Sequence, residues 1–577
     1  MDPSTVASLP PEVLLVIVPF LDLQRLAAAT LVNKEWSAVF NPFLWKSVCW
    51  DHNIKVSSYR PRREEIWYLR LKASIESGAL VKNGKWIQEI RCRFYGIAKL
   101  LLDHGQGCTG LLELSIGSLP DPLLPITATD TEKYIRPEYN AGQGTYLPPV
   151  DLNSLTTFLQ NTSHLRHLTL QHSILNECSN ISALIRLIDA IPQSIEHLEL
   201  QFWNPRYGGR TFPYIYPVGG QVLDFNDEYL QDALHNAVHS PLLNLKCLSF
   251  SYYAVDENRR TLHRLLSRCE HLETIFLKAV DVRTSPSFLM SLLPKFCPKV
   301  ANLHVLDWDD LYSDELIKIF KASPAGWKTL GLPQRYDEQF GFDDDVAEAL
   351  LENSSTLENL RLDGIYSLPS SAVQRLLSSA PNLKRLDVMS RNQALEGNFE
   401  LSADDIISGQ PWVCTKLESL KVQIVGVPRP DVLERNNGIP LYGPLHEGTL
   451  EASRQIQHGI YEQLGRLTHL KQLVLGNDEI ETGNGGYEQE EEVEEDDKLR
   501  LYREEVAREG WRQYDCLEMT VESGMDAMAG LQELQVLELG AMQVGMIDQE
   551  WAKENWPRLG STYKDTFWTD HGHKEHK

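Results

Sequence analysis

The chain has 577 residues, 42% of them hydrophobic, and a formal net charge of -25 at pH 7. That length and apolar content suffice for a large core and, unless a repeating architecture absorbs them, for more than one domain. The acidic excess argues against generic binding to nucleic acid or to an anionic membrane, since both need clustered Lys and Arg to replace counterions. No apolar run approaches the roughly 20 residues that span a bilayer.

The first 50 residues differ from the rest. Ser8-Leu9-Pro10-Pro11-Glu12 places a serine cap and prolines at a helix start, followed by Val13, Leu14, Ile17 and Leu21 on one helical face. The run from Val13 to Val18 does not read as a secretion signal: Asp2 and Glu12 precede it instead of Lys or Arg, and Pro19-Phe20 is no small-residue cleavage site. A cytoplasmic and/or nuclear protein is expected. Leu23, Leu26 and Ala27, then Leu31 to Trp36 and Asn41 to Trp45, complete a prediction of three short helices. A unit of about 45 residues is near the lower limit for independent folding. Its apolar inventory, Leu9, Val13, Leu14, Ile17, Leu21, Val32, Trp36, Leu44 and Trp45, exceeds what such helices enclose. Part of it should face another protein or the first repeat.

Residues 51–86 form a join and the first repeat helix. Tyr59-Arg-Pro-Arg-Arg63 resembles a basic targeting patch but reads more simply as a solvated turn. Gly78-Ala-Leu-Val-Lys-Asn-Gly84-Lys85-Trp86 is one residue too long for a phosphate loop and lacks the Ser or Thr that would hold magnesium.

From residue 87 to about 560 one phrase recurs, an apolar residue followed by x-x-Leu-x-Leu. Its clearest copies begin at Leu245, Leu272, Val300, Trp327, Leu357 and Leu383, spaced by 27, 28, 27, 30 and 26 residues; looser copies begin at Ile87, Leu111, Leu165, Ile195, Leu417, Leu470 and Leu534, making thirteen. The period of two within the phrase predicts a half-exposed strand. Between phrases, stretches such as 260–268, 314–321 and 371–378 space apolar residues three and four apart, the pattern of amphipathic helices, several with capping residues at Ser313, Asp343 and Ser402. A strand and a helix every 20 to 30 residues or so is the signature of a leucine-rich repeat. The fold class expected is α/β: a solenoid with a curved parallel sheet inside and helices outside.

Four intervals are long, leaving insertions at about 118–150, 203–224, 426–449 and 476–515, with a tail at 561–577. Same-phase insertions in a solenoid emerge on one rim, often the binding face. The second concentrates Trp203, Arg206, Tyr207, Arg210, Phe212, Tyr214 and Tyr216, types that dominate interface hot spots, although such aromatics also serve to cover a solenoid edge. The fourth holds eight acids in the ten residues 488–497, a run expected to stay disordered. Among exposed strand positions, Phe276, His304, Arg361 and Asp387 are candidates for contact with a target; the row is mixed in sign, which suits a protein surface better than nucleic acid.

No catalytic, metal or cofactor grouping stands out. His164, His167 and His172 surround one strand without an Asp or Cys to complete a site, and His571, His573 and His576 lie in the tail. The nine cysteines show no Cys-x-x-Cys; Cys108, Cys269, Cys297 and Cys414 each stand three residues before a repeat's first apolar residue, where a small buried residue fits the turn.

Leu9-Pro10-x-Glu12, the aliphatic helix ending Phe20-Leu21-Asp22-Leu23, Val32-x-x-x-Trp36 and Phe43-Leu44-Trp45 together resemble an F-box, with Asn33 where a cysteine is common. The repeats resemble the cysteine-containing, ribonuclease-inhibitor-like class often fused to F-boxes. The resemblance implies that residues 1–50 dock on the Skp adaptor of a cullin-RING ubiquitin ligase while the repeats capture a target protein. It implies no enzyme chemistry and no cofactor. Leu9, Pro10, Glu12, Val13, Leu14, Ile17, Leu21, Val32, Trp36, Leu44 and Trp45 would then form the adaptor-binding set. The alternative is a ligase-independent scaffold in which these helices merely cap the open end of the solenoid.

Overall fold

In the computed structural model each of the thirteen phrases carries a strand, with its leucines buried beneath the sheet. The structure describes residues 9–50, 72–119, 152–171, 181–201, 240–251, 259–278, 287–305, 313–332, 343–362, 368–388, 400–428, 449–475, 517–538 and 549–560. The acidic run at 488–497 and nearly all of the four insertions lie outside these residues. The chain divides into two units, Met1–Thr284 with Ser291–Val300, and Ser285–Met290 with Ala301–Lys577.

In the first unit β1 (Ser47–Trp50), β2 (Glu89–Phe94), β3 (Glu113–Leu119), β4 (His167–Gln171), β5 (His197–Gln201), β6 (Cys247–Ser251) and β7 (Thr274–Lys278) pair in chain order, all parallel. The second unit repeats the plan with β8 (Asn302–Val305), β9 (Thr329–Gly331), β10 (Asn359–Arg361) and β11 (Arg385–Asp387). There β12 (Glu400–Ser402) pairs with the far end of β13 (Ser419–Val425), which joins β11 to β14 (Gln472–Leu475) and β15 (Val536–Glu538). The strands β1 and β12 carry no copy of the phrase and were not expected. β1 follows the N-terminal helices directly and pairs Ser47 with Glu89, so the sheet begins within the first 50 residues.

Register explains the core. Leu114, Leu168, Leu198, Leu248 and Ile275 are paired partners on successive strands, and all are buried. Leu303, Leu330, Leu360, Leu386, Leu420, Leu473 and Leu537 do the same in the second unit. Each such side chain removed from water is worth about 1.5–3 kcal/mol, and each gains that only when the next repeat covers it.

The predicted helices form at Arg259–Leu266, Ser313–Lys321 and Ser370–Ser379, among others. Asp343 and Ser402 act as caps, accepting from the amides of Val346 and Asp404. Ser313 is instead the first helical residue, because the helix starts one position earlier than the capping pattern implied. Helix 181–189 packs directly against helix 259–266, although a strand repeat lies between them in sequence. Arg264 and Arg268 make that junction. Arg264 grips the Asp189 carboxylate with two hydrogen bonds of 3.0 Å. Arg268 is only 3% exposed and donates to the carbonyls of Ser240, Ile188 and Ile191. Burial lowers its pKa, and Asp189 opposes that shift.

A second ladder runs along the residue after each first apolar position. In the first unit it reads Arg166, Glu196, Lys246, Glu273; in the second, Lys328, Glu358, Lys384, Glu418, Lys471. Each residue's amide donates to the carbonyl of its predecessor, as Lys384 does to Glu358 and Glu418 to Lys384, both at 2.7 Å. The side chains are therefore stacked one strand spacing apart, about 4.7–4.9 Å, where like charges repel and alternating ones attract. The Lys384 ammonium reaches Glu358 at 2.7 Å and Lys471 reaches Glu418 at 3.2 Å. The hydrogen bond from Lys384 holds the Glu358 carboxyl below its usual range.

Two outcomes test this account. Lys384→Glu places three carboxylates in series and should lower the melting temperature of the second unit at low salt. The deficit relative to Lys384→Gln should shrink toward 1 M salt, as screening shortens to about 3 Å.

The second test concerns the turn thiols, which burial pushes up from 9.0 to about 11 at Cys108 and about 12 at Cys297 and Cys414. The unfolded chain sheds those protons near pH 9 while the native chain keeps them, so stability should fall as pH rises from about 9 toward 12. Cys297→Ala should flatten that fall in denaturation measured across the range.

Candidate functional site

The N-terminal unit opens with α1 (Pro11–Ile17), continues through a 3₁₀ turn at Val18–Phe20, and adds α2 (Leu23–Thr30) and α3 (Lys34–Leu44). The start of α1 differs from expectation: its cap position is Pro10, with no side-chain hydrogen bond, and Ser8 lies outside the described residues. Proline suits the first turn because its missing amide would be unpaired there anyway. Asp22 caps α2 by accepting from the Arg25 amide at 2.8 Å. Asn33, where the resemblance leads one to expect cysteine, caps α3 by accepting from the Trp36 amide at 2.7 Å.

These helices enclose a small core of Leu14, Leu26, Ala29 and Phe40, flanked by Leu9, Val18, Leu21, Trp36, Val39, Phe43 and Leu44. Trp36 meets Phe40 edge to face, with ring centroids 5.5 Å apart. Leu14 was placed in the sequence-derived adaptor-facing set. The structure puts it inside instead, at 1% exposure. The rest of that set is spread between the two environments: Pro10, Glu12, Val13 and Val32 are exposed, while Leu9, Ile17, Leu21, Trp36, Leu44 and Trp45 are half-buried.

The outer surface is more apolar than that set implied. Of twelve exposed large hydrophobic residues among the described ones, seven fall between residues 13 and 32: Val13, Leu15, Val16, Phe20, Leu23, Leu31 and Val32. Phe20 is 76% exposed and Leu31 85%. Scattered exposed hydrophobes are ordinary, whereas seven within twenty residues of one small unit are a concentration. Sequence reasoning missed Leu15, Val16, Phe20, Leu23 and Leu31 as surface. The signal was present in the six-residue apolar run from Val13 to Val18, which is hydrophobic on every side of a helix and so must offer one side to something beyond its own core.

In the repeats, His304 pairs with Gly331, Gly331 with Arg361, and Arg361 with Asp387, so three of the four strand candidates share one row of the second unit. Burial first, and then the Arg361 guanidinium, lower the pKa of His304. The row continues to Lys421, whose ammonium stands 3.6 Å from Asp387. Phe276 stands on β7 in the first unit, half-buried and paired with Ser249. Trp203, Arg206, Tyr207, Arg210, Phe212, Tyr214 and Tyr216 lie outside the described residues.

The glycines of the near-miss phosphate loop have a packing explanation. Gly78 adopts a left-handed φ of 84° ahead of helix 79–83, and a side chain on Gly84 would strike the Gly107 backbone at 2.6 Å. Gly84 lets two chain segments approach closely, while Gly78, with open space around it, supplies a left-handed turn.

The F-box-like family matches residues 6–50. The chain carries an F-box-like domain at its N-terminus. Behind it stands a leucine-rich-repeat array, as the phrase and the parallel in-register strands require. Among curated proteins no match is found. Solved structures that resemble the chain include one from the TLR13–ssRNA13 complex, at 14% identity and a TM-score of 0.35, covering 83% of this chain. The present chain spans about half of that one, 48%. The leucine-rich repeat-containing protein LegL7 from Legionella pneumophila shows 13% identity and a TM-score of 0.29, covering 54% of this chain and 88% of its own. A chain of the yeast Rad7 and Elc1 complex shows 15% identity and a TM-score of 0.26, covering 58% of this chain and 74% of its own. Among the described residues no helix is long and apolar enough to cross a membrane.

The inside and outside of the F-box-like domain make separate predictions. Leu14→Ala should cost about 2–5 kcal/mol of that domain's stability, as buried leucine truncations do. Val16→Ala should change it by no more than about 0.5 kcal/mol. Hydrogen exchange across residues 11–44 reads the difference.

Proposed function

We propose that this chain is the non-catalytic substrate receptor of a Skp/cullin/F-box ubiquitin ligase. The F-box-like domain, residues 1–50, docks on a Skp adaptor, and the repeats between 87 and 560 hold a target protein. The observation that carries this reading is the outward-facing set Val13, Leu15, Val16, Phe20, Leu23, Leu31 and Val32 on a domain whose own core is already closed. A partner that covers those side chains gains their burial, about 1.5–3 kcal/mol for each one fully removed from water. The contribution to ubiquitin transfer is proximity: the receptor holds a target where its lysines reach a high effective concentration near the ligase.

Within this reading the candidate target contacts are the strand row with His304, Arg361 and Asp387 in the second unit and, in the first, Phe276 and the aromatic insertion at 203–224. A target of this kind is a protein surface rather than nucleic acid or membrane, given the net charge of -25. The working compartment is cytoplasmic and/or nuclear.

One observation favours the alternative in which the domain is a structural cap: β1 leaves α3 and enters the sheet directly. The two readings part at Phe20, which a cap does not need. Co-purification of the full chain with a Skp adaptor should be stoichiometric for the wild type. It should be lost in Phe20→Asp while the melting temperature stays unchanged. Adaptor binding that survives Phe20→Asp, or a folded wild-type chain that binds no adaptor, would overturn the receptor reading and leave an interaction scaffold.

A further inference from the structure

Strand register brings together metal-ligating side chains that are far apart in the sequence. His167 opens β4, His197 opens β5, and the two are paired partners. Their rings are stacked, with centroids 4.6 Å apart and planes within 7°. Glu196 directly precedes His197, and one donor atom from each of the three residues lies within 4.8 Å of the others. We propose that His167, Glu196 and His197 form a binding site for a divalent transition-metal ion of the zinc class, on the solvent-facing side of the first unit's sheet.

The donor set suits that class. Two imidazoles and a carboxylate are the ligands that zinc and its neighbours share, and three protein donors leave a further position open. The backbone beneath them is fixed: the amides of Glu196 and His197 donate to the Arg166 carbonyl at 2.8 and 3.0 Å, and Leu168 and Leu198 are buried directly after the two histidines. The side chains above retain freedom, since both histidines are exposed and Glu196 is half-buried.

Their present spread is wider than a loaded site requires. Bonds of about 2.0–2.1 Å set tetrahedral donors about 3.3 Å apart, so the rings must swing out of their stack toward a common point. Rotation about side-chain torsions on exposed residues accomplishes this without moving the strands. Two cations compete for Glu196: the Arg166 Nε stands 3.6 Å from its carboxylate, and Lys246 is its neighbour on the next strand. Exposed pairs of this kind are weak, worth about 0–1 kcal/mol, and the second carboxylate oxygen remains a donor.

Two further donors flank the trio in register. Glu113 pairs with His167 and is held by Arg91 at 2.9 Å, and Cys247 pairs with His197. Neither belongs to the close group, so the open position faces solvent, where a water or a donor side chain of a bound protein completes the shell. Such an ion clamps β4 to β5 and gives the exposed face a directional contact that mixed charges alone do not.

The test uses the full chain, untagged, with His571→Ala, His573→Ala and His576→Ala in every preparation so that the tail contributes no ligand. Cobalt(II) serves as the spectroscopic probe and zinc(II) as the calorimetric one. One ion should bind per chain. His167→Ala and His197→Ala should each weaken binding by at least the roughly tenfold that losing even a supporting group costs, and Glu196→Gln should weaken it measurably. His271→Ala, a half-buried histidine elsewhere in the same unit, should leave it unchanged. Zinc should also raise the melting temperature of the parent and not of His197→Ala. Absence of binding by the parent, or equal binding by the parent and both histidine variants, overturns the assignment and leaves a stacked aromatic pair.

Discussion

The burial of leucine beneath leucine, in register on parallel strands, is the constraint on which the rest of this protein depends. A single strand of three to seven residues cannot shield its own apolar face. It becomes stable only when the neighbouring repeat supplies the same side chain at the same height. Stability is therefore a sum of nearest-neighbour interfaces, each as good as its register. That explains why the phrase tolerates Trp327 or Val300 in place of its first leucine, both fully buried, yet keeps its period of two throughout.

The same register decides what happens on the face that leucine does not occupy. Any residue at a fixed place in the phrase becomes the close neighbour of its counterparts in the repeats on either side. Charges there have to alternate, and they do, from Arg166 to Glu273 and from Lys328 to Lys471. Histidines at one such place come face to face, as His167 and His197 do. The repeat architecture thus converts a one-dimensional list into rows of side chains about one strand spacing apart. Such rows are the raw material for recognising a partner or holding an ion.

The F-box-like domain obeys a different economy. Three short helices bury only four residues well, Leu14, Leu26, Ala29 and Phe40, and leave a larger apolar set outside. Asn33 shows how a departure from a familiar pattern is absorbed locally: the residue caps α3, a task its side chain performs well. The domain is at once marginal alone and well suited to a partner, and its connection into β1 ties it to the sheet.

Much of this was legible in the sequence. The thirteen phrases located thirteen strands, because a strand that is half buried must alternate and the alternation can be counted. Helices between them followed from the other period, and the opening Leu9-Pro10-x-Glu12 pointed to the kind of N-terminal domain. The strands β1 and β12 were not legible, for they borrow their pairing from a neighbour and carry no pattern of their own. Nor was the side of the Val13 to Val18 run that faces out, since a helix apolar all round gives no angular signal. Leu14, expected among the adaptor-binding residues, lies inside for that reason. The histidine cluster was invisible because its members are distributed over two repeats, and adjacency across strands is set by register, not by distance along the chain. The sequence by itself determined where the thirteen repeat strands would form and which of their faces would be buried, through local periodicity. Only the tertiary structure decided which exposed residues became neighbours, because that depends on how each repeat aligns with the next.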